Sequence, residues 1–225
     1  MGDPDGEGGN LQSPVQEGAE EGKLKMAPVA HAWELEGMRA WTPAFLIACY
    51  LAVGSPKDHA IQAGSSFSSA LYIMGVFSTL IAGYLSDRLG RTMVIISMMA
   101  ISIVCSFSFG WVIGSPMAWV MILGLSYGFS VIAESPVFSS GLTEVVSPHY
   151  LGTALGLRSL IGLGIAALAP TLFGLILDLT NPGQGEKVLG YLPNWGWAFS
   201  MLGLVALVGP WTMFKLRALP ESVKM

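Results

Sequence analysis

Six long apolar segments, separated by short polar or charged connections, constrain this chain more than any other feature. They run at about 38–54, 60–85, 92–114, 117–143, 152–177 and 195–214. Each is close to or above the roughly 17–25 residues needed to cross a hydrocarbon core. The first is the shortest, because Trp41 to Val53 reaches that length only with residues 36–40. A bilayer offers no partner to an unpaired backbone N–H or C=O, so spans of this kind must be helices. Composition agrees: 52% of residues are hydrophobic and only 12% charged, about half the charge of an ordinary soluble domain. The sequence therefore predicts an all-α membrane protein with a six-helix transmembrane domain over residues 37–217 and a short tail over 218–225.

Residues 1–36 read differently. They are rich in Gly, Glu and Gln, and eight of the fifteen acidic residues precede residue 37. The sequence suggests a disordered acidic segment there, because so little apolar surface does not offset the entropy of ordering it. No basic-then-apolar secretory signal is present. Cys49 and Cys105 both fall within apolar runs and read as buried thiols, not as a disulfide or metal site. No cofactor is implied, and no partner of nucleic-acid type.

Charge placement sets an orientation. Six spans put both termini on one face, which collects Lys23, Lys25, Arg39, Arg88, Arg91, Lys215, Arg217 and Lys224. The opposite face has Lys57 and Lys187, and Arg158 falls within the fifth span. Basic residues favour the cytoplasmic side, so both termini are expected to be cytoplasmic. A cell (inner) membrane location is a separate expectation.

One connection carries a specific pattern. Gly83-Tyr-Leu-Ser-Asp87-Arg88-Leu-Gly90-Arg91-Thr92 joins the second and third spans. It resembles the G-x-x-x-D-R/K-x-G-R-K/R loop of the major facilitator superfamily of secondary transporters, departing from it at the last basic position, which is Thr92. The resemblance extends over about residues 38–222. Segments that resemble the second half of a twelve-helix member include Pro148-x-x-x-Gly152-Thr-Ala-Leu-Gly156, Gly162 to Gly174 with Pro170, Trp197-Ala-Phe199 and Arg217 to Ser222.

Several expectations follow from the resemblance. Transport of a small solute, with or without a coupled proton or ion, would proceed by alternating access around a central site. A second six-helix half is needed, from the same longer chain, a split partner or a second copy. Residues 1–36 would take the place of the linker between halves. A non-transporting membrane sensor or accessory subunit is the alternative.

Within that frame, Gly83, Asp87, Arg88, Gly90 and Arg91 form either a gate between halves or a positive-inside anchor. Gly83 is expected where two helices cross, Gly90 in a tight turn, and Asp87 near a helix N-terminus. Glu134 lies deep in the fourth span beside Pro136, whose ring removes one backbone hydrogen bond. An acid at that depth is costly unless it faces protein or water. It would contact cargo or a proton, or neutralise Arg158. Ser68 and Tyr72 would line a polar cavity or pack helices.

Gly124-Leu-Ser126-Tyr-Gly128 fits the G-x-S-x-G pattern of hydrolases. That third reading needs a histidine base in reach. It also needs a strand-to-helix elbow, which an apolar helix does not provide. Gly124 and Gly128 read instead as a G-x-x-x-G packing groove, and no catalytic residue is assigned.

Overall fold

A computed structural model describes residues 14–145, 149–183 and 194–217 of the chain; the expected tail at 218–225 lies outside them. The described residues are helical, without strands. They form α1 (Pro14–Ala52), α2 (Lys57–Leu89), α3 (Arg91–Phe109), α4 (Met117–Val145), α5 (Leu151–Ala166), α6 (Ala169–Thr180), α7 (Gly196–Ala206) and α8 (Val208–Arg217). A 3-10 turn at Gly110–Val112 extends α3. α5 with α6, and α7 with α8, each make one crossing that bends near Ala167 and Leu207. Six crossings result among the described residues.

Five of them are long and apolar enough to span a membrane: Lys57–Leu89, Arg91–Val112, Met117–Ser140, Leu151–Thr180 and Gly196–Phe214. The sixth, α1, differs because His31, Glu34, Glu36 and Arg39 interrupt its apolar character. It nevertheless occupies the middle of the bundle and packs on α2, α4, α5, α6, α7 and α8.

α1 corrects the sequence reading at its N-terminal end. The helix does not start near residue 38, and the stretch from Ala27 is not an unstructured segment. Ala27, Ala30, His31, Trp33 and Glu34 are buried against the other helices. Their spacing of three and four places them on one face, continuous with Met38, Thr42, Phe45 and Cys49, which are also buried.

Two apolar clusters fill the interior. One is aromatic: Phe45 meets Phe109 at 4.7 Å, Phe199 at 5.1 Å and Trp195 at 5.4 Å between ring centroids. These are edge-on arrangements, which the ring quadrupole favours. The other cluster, toward Gly90, contains Val94, Ile95, Met99, Ala133 and Val137. Cys49 and Cys105 are free and buried. Between the two clusters lies a layer of polar side chains.

Candidate functional site

The polar layer is built from three helices. Glu34 comes from α1, Ser102 from α3 and Glu134 from α4, each with 0% exposure. Ser102 sits between Met99 of one cluster and Cys105 of the other; Glu134 sits likewise between Val137 and Val131. The Ser102 hydroxyl lies 3.1 Å from Glu34 Oε2, 3.4 Å from Glu134 Oε1 and 3.0 Å from the Met99 carbonyl. A hydroxyl has one proton to donate, so three acceptors share it.

His31, one turn before Glu34 on α1, completes the cluster. Its Nδ1 lies 3.0 Å from Glu134 Oε2, at ion-pair distance but off the hydrogen-bonding direction. Among the described residues, His31 Nε2 and Glu34 Oε1 have no hydrogen-bond partner. A polar chain leads away from Glu34. Tyr127 of α4 faces it and donates to Ser106 Oγ at 3.2 Å, and Ser106 donates to the Phe199 carbonyl at 2.8 Å. The layer thus holds two carboxyl groups and an imidazole with too few donors among them.

Arg158 is elsewhere. Its guanidinium donates to Ser139 Oγ at 3.0 Å and lies 5.8 Å from the centre of the Phe138 ring. Among the described residues the acid–base contacts include His31–Glu134, charged only if the imidazole is protonated, and Arg39–Glu36; Glu134 and Arg158 are not in contact. His31 and Glu34 escaped the sequence reading because both fall within the stretch taken as disordered. The three- and four-residue spacing from Ala27 to Met38 was the signal that would have found them.

A cavity of about 350 Å³ backs onto this layer, lined by Leu35 and Arg39 of α1, Tyr72 and Thr79 of α2, and Ile132 and Ser135 of α4. Leu35 and Ser135 are the immediate chain neighbours of Glu34 and Glu134. Tyr72 points its hydroxyl at the Arg39 carbonyl, 2.8 Å away. Ser68 is buried beside Tyr72.

The α2–α3 connection is a single residue, Gly90, at φ 86° and ψ 142°. That backbone conformation is open to glycine and strained for other residues. Asp87 and Arg88 are exposed at the end of α2. Arg88 lies over the Tyr84 ring at 4.5 Å, and Arg91 opens α3. Asp87 does not cap α3, whose N-terminus has no side-chain cap. A Cβ at Gly83 would meet nothing within 4 Å, so the helix crossing expected there is not made among the described residues.

The remaining small and kinked positions serve packing. Gly124 accommodates the Phe109 ring, and Gly128 faces Leu71. Pro136 lies within α4 without ending it. The Pro170 carbonyl accepts a 2.9 Å hydrogen bond from Trp41 Nε1, and Gly174 leaves room for the same indole.

Comparison with known proteins decides the family of this helical bundle. The model of the Major Facilitator Superfamily matches residues 28–224. The chain belongs to that superfamily. It is a multi-pass integral membrane protein of that superfamily. The match begins at residue 28, within the stretch of α1 that the apolar pattern alone had omitted.

Among similar proteins, the human lysosomal dipeptide transporter MFSD1 is 29% identical over 119 residues, covering 52% of this chain and 24% of the relative. The cattle protein of that name is 31% identical over 123 residues, covering 52% and 24%. The chicken protein is 31% identical over 123 residues, covering 52% and 26%. The chain therefore spans about a quarter of the length of the relatives it matches. Their lysosomal label gives no support to the cell-membrane expectation.

Proposed function

We propose that this chain is one six-helix half of a secondary active transporter that moves a small peptide-like solute together with protons. The observation that carries this reading is the His31–Glu34–Glu134 cluster. Two carboxyl groups and an imidazole share a buried layer with one serine proton between the carboxyls. Buried charge without a partner costs several kcal/mol, so such a layer is stable only when protonated or internally paired. Opening it to water changes which protonation state is favoured. That dependence is the physical requirement for coupling proton movement to a conformational exchange.

The adjoining cavity supplies the route. Leu35 and Ser135 separate it from the cluster by one residue on α1 and α4. A small rotation of either helix would bring a carboxyl group to the cavity surface. Alternating access then requires a second half, which would close the cavity and receive the exposed Asp87 and Arg88 of the loop. Both termini would lie in the cytoplasm. The dipeptide class is taken from the relatives' name and gives the first substrate to try.

The test is uptake of a dipeptide by the assembled transporter in liposomes carrying an imposed pH gradient. Uptake driven by an inward proton gradient, and collapsed by a protonophore, supports the reading. Gradient-independent uptake would refute the coupling. A cysteine placed at Pro116, between α3 and α4, should be labelled from outside the cell; labelling only from the cytoplasm would refute the orientation.

A further inference from the structure

Arg39 is a guanidinium in an unusual place. The sequence assigns it to the cytoplasmic end of a span, yet the structure puts it well inside α1 (Pro14–Ala52). Its depth is fixed by Tyr72, which lies midway along α2 (Lys57–Leu89) and whose hydroxyl donates to the Arg39 carbonyl at 2.8 Å. The local chemistry explains that bond. Pro43 has no N–H, so the Arg39 carbonyl four residues earlier loses its helical donor, and the tyrosine provides one instead.

The Arg39 side chain is 53% exposed at this depth. A charged side chain midway through a span does not face hydrocarbon, so this side of α1, α2 and α4 faces water or protein. The guanidinium lies 5.9 Å from the centre of the Tyr72 ring, and its contact with Glu36 is long, at 3.5 Å. A guanidinium carries five donors in a fork that fits a carboxylate, and among the described residues only Glu36 accepts from it. The cavity that Arg39 lines offers Thr79 and Ser135 as further polar groups. Pro136, next to Ser135, removes the donor that would engage the carbonyl of Ile132, another lining residue.

We propose that Arg39, braced by Tyr72, binds the free carboxylate of a small zwitterionic solute, with Glu36 placed to accept from the solute's ammonium group. This subsite rests on the transport reading above but assigns a separate task. The buried Glu34–Glu134 layer handles protons, while the exposed Arg39–Glu36 pair recognises charge on the cargo. The carboxylate displaces the long Glu36 contact and takes the guanidinium fork. Glu36 is thereby freed for the cation.

The experiment compares dialanine with its C-terminal amide in the assembled transporter, reconstituted in liposomes with an inward proton gradient. The wild-type protein should take up dialanine at least tenfold better than the amide. Arg39→Gln should reduce that preference to within about twofold, and Arg39→Lys should retain an intermediate preference. Size-exclusion profiles of both variants in detergent check folding. An Arg39→Gln protein that keeps the wild-type preference, even with lower uptake of both peptides, would overturn the subsite and make Arg39 a structural partner of the second half. Wild-type uptake of both peptides without discrimination would overturn the subsite alone. Uptake of neither would remove the transport reading and the subsite together.

Discussion

His31 Nδ1 lies 3.0 Å from Glu134 Oε2 in a layer that neither solvent nor lipid reaches. This contact joins the N-terminal part of α1 to the middle of α4, and it makes His31 the partner of Glu134 in place of Arg158. Removing one member leaves a buried polar group of the other without its neighbour, at a cost of about 1–3 kcal/mol. In a double-mutant cycle, His31→Gln and Glu134→Gln should couple by more than about 1 kcal/mol. Arg158→Gln and Glu134→Gln should be additive within about 0.5 kcal/mol. Unfolding in detergent micelles measures both; the reverse ranking would restore the Arg158 pair.

Ser102 is the only hydroxyl bridging Glu34 and Glu134 among the described residues. Ser102→Ala should destabilise the bundle by about 1–3 kcal/mol, the usual cost of leaving buried polar atoms unsatisfied. Ser102→Thr keeps the hydroxyl and should lose less. Equal stability of the wild-type and alanine proteins would show that the carboxyl groups do not depend on this donor.

The loop separates into a conformational and an interaction role. Gly90→Ala should cost about 1–3 kcal/mol, because φ of 86° with ψ of 142° is strained once a Cβ is present. Asp87 is exposed and belongs to neither ion pair among the described residues. Asp87→Asn should therefore leave the stability of the bundle unchanged while slowing transport or shifting the open-side equilibrium. Wild-type kinetics in that variant would reduce the loop to a topological anchor.

Trp41 ties α1 to the start of α6 through the Pro170 carbonyl, at 2.9 Å, and stacks on Phe173 at 5.2 Å. Trp41→Phe retains an aromatic ring but not the donor. A loss of about 1 kcal/mol is expected from the missing hydrogen bond, read as a lower midpoint of thermal unfolding. No change would mean that the indole contributes by packing alone.

The fold class was legible in the sequence because span length and polarity are local properties, and five crossings exceed any ambiguity of hydropathy. α1 was legible only in part. Its spanning character comes from what surrounds it, since His31, Glu34, Glu36 and Arg39 lower its apolarity while the other helices bury His31 and Glu34. A reading based on hydropathy discards such a helix; a reading of three- and four-residue spacing recovers it. Glu134 stood out because a lone acid in an apolar run is conspicuous. Its partner did not, since pairing between α1 and α4 depends on helix packing and not on distance along the chain. Gly90 was legible for the opposite reason, its role being set by the local backbone.

The central claim is that the His31–Glu34–Glu134 layer couples protons to transport, and the proton-to-substrate ratio measures it most directly. Substrate-driven proton entry should be recorded with a pH dye trapped in liposomes holding the assembled transporter. The wild-type protein should move protons with dialanine. Glu134→Gln should abolish that proton flux while still exchanging labelled for unlabelled dialanine across the membrane. A Glu134→Gln protein that keeps the wild-type ratio of protons to substrate would contradict the account.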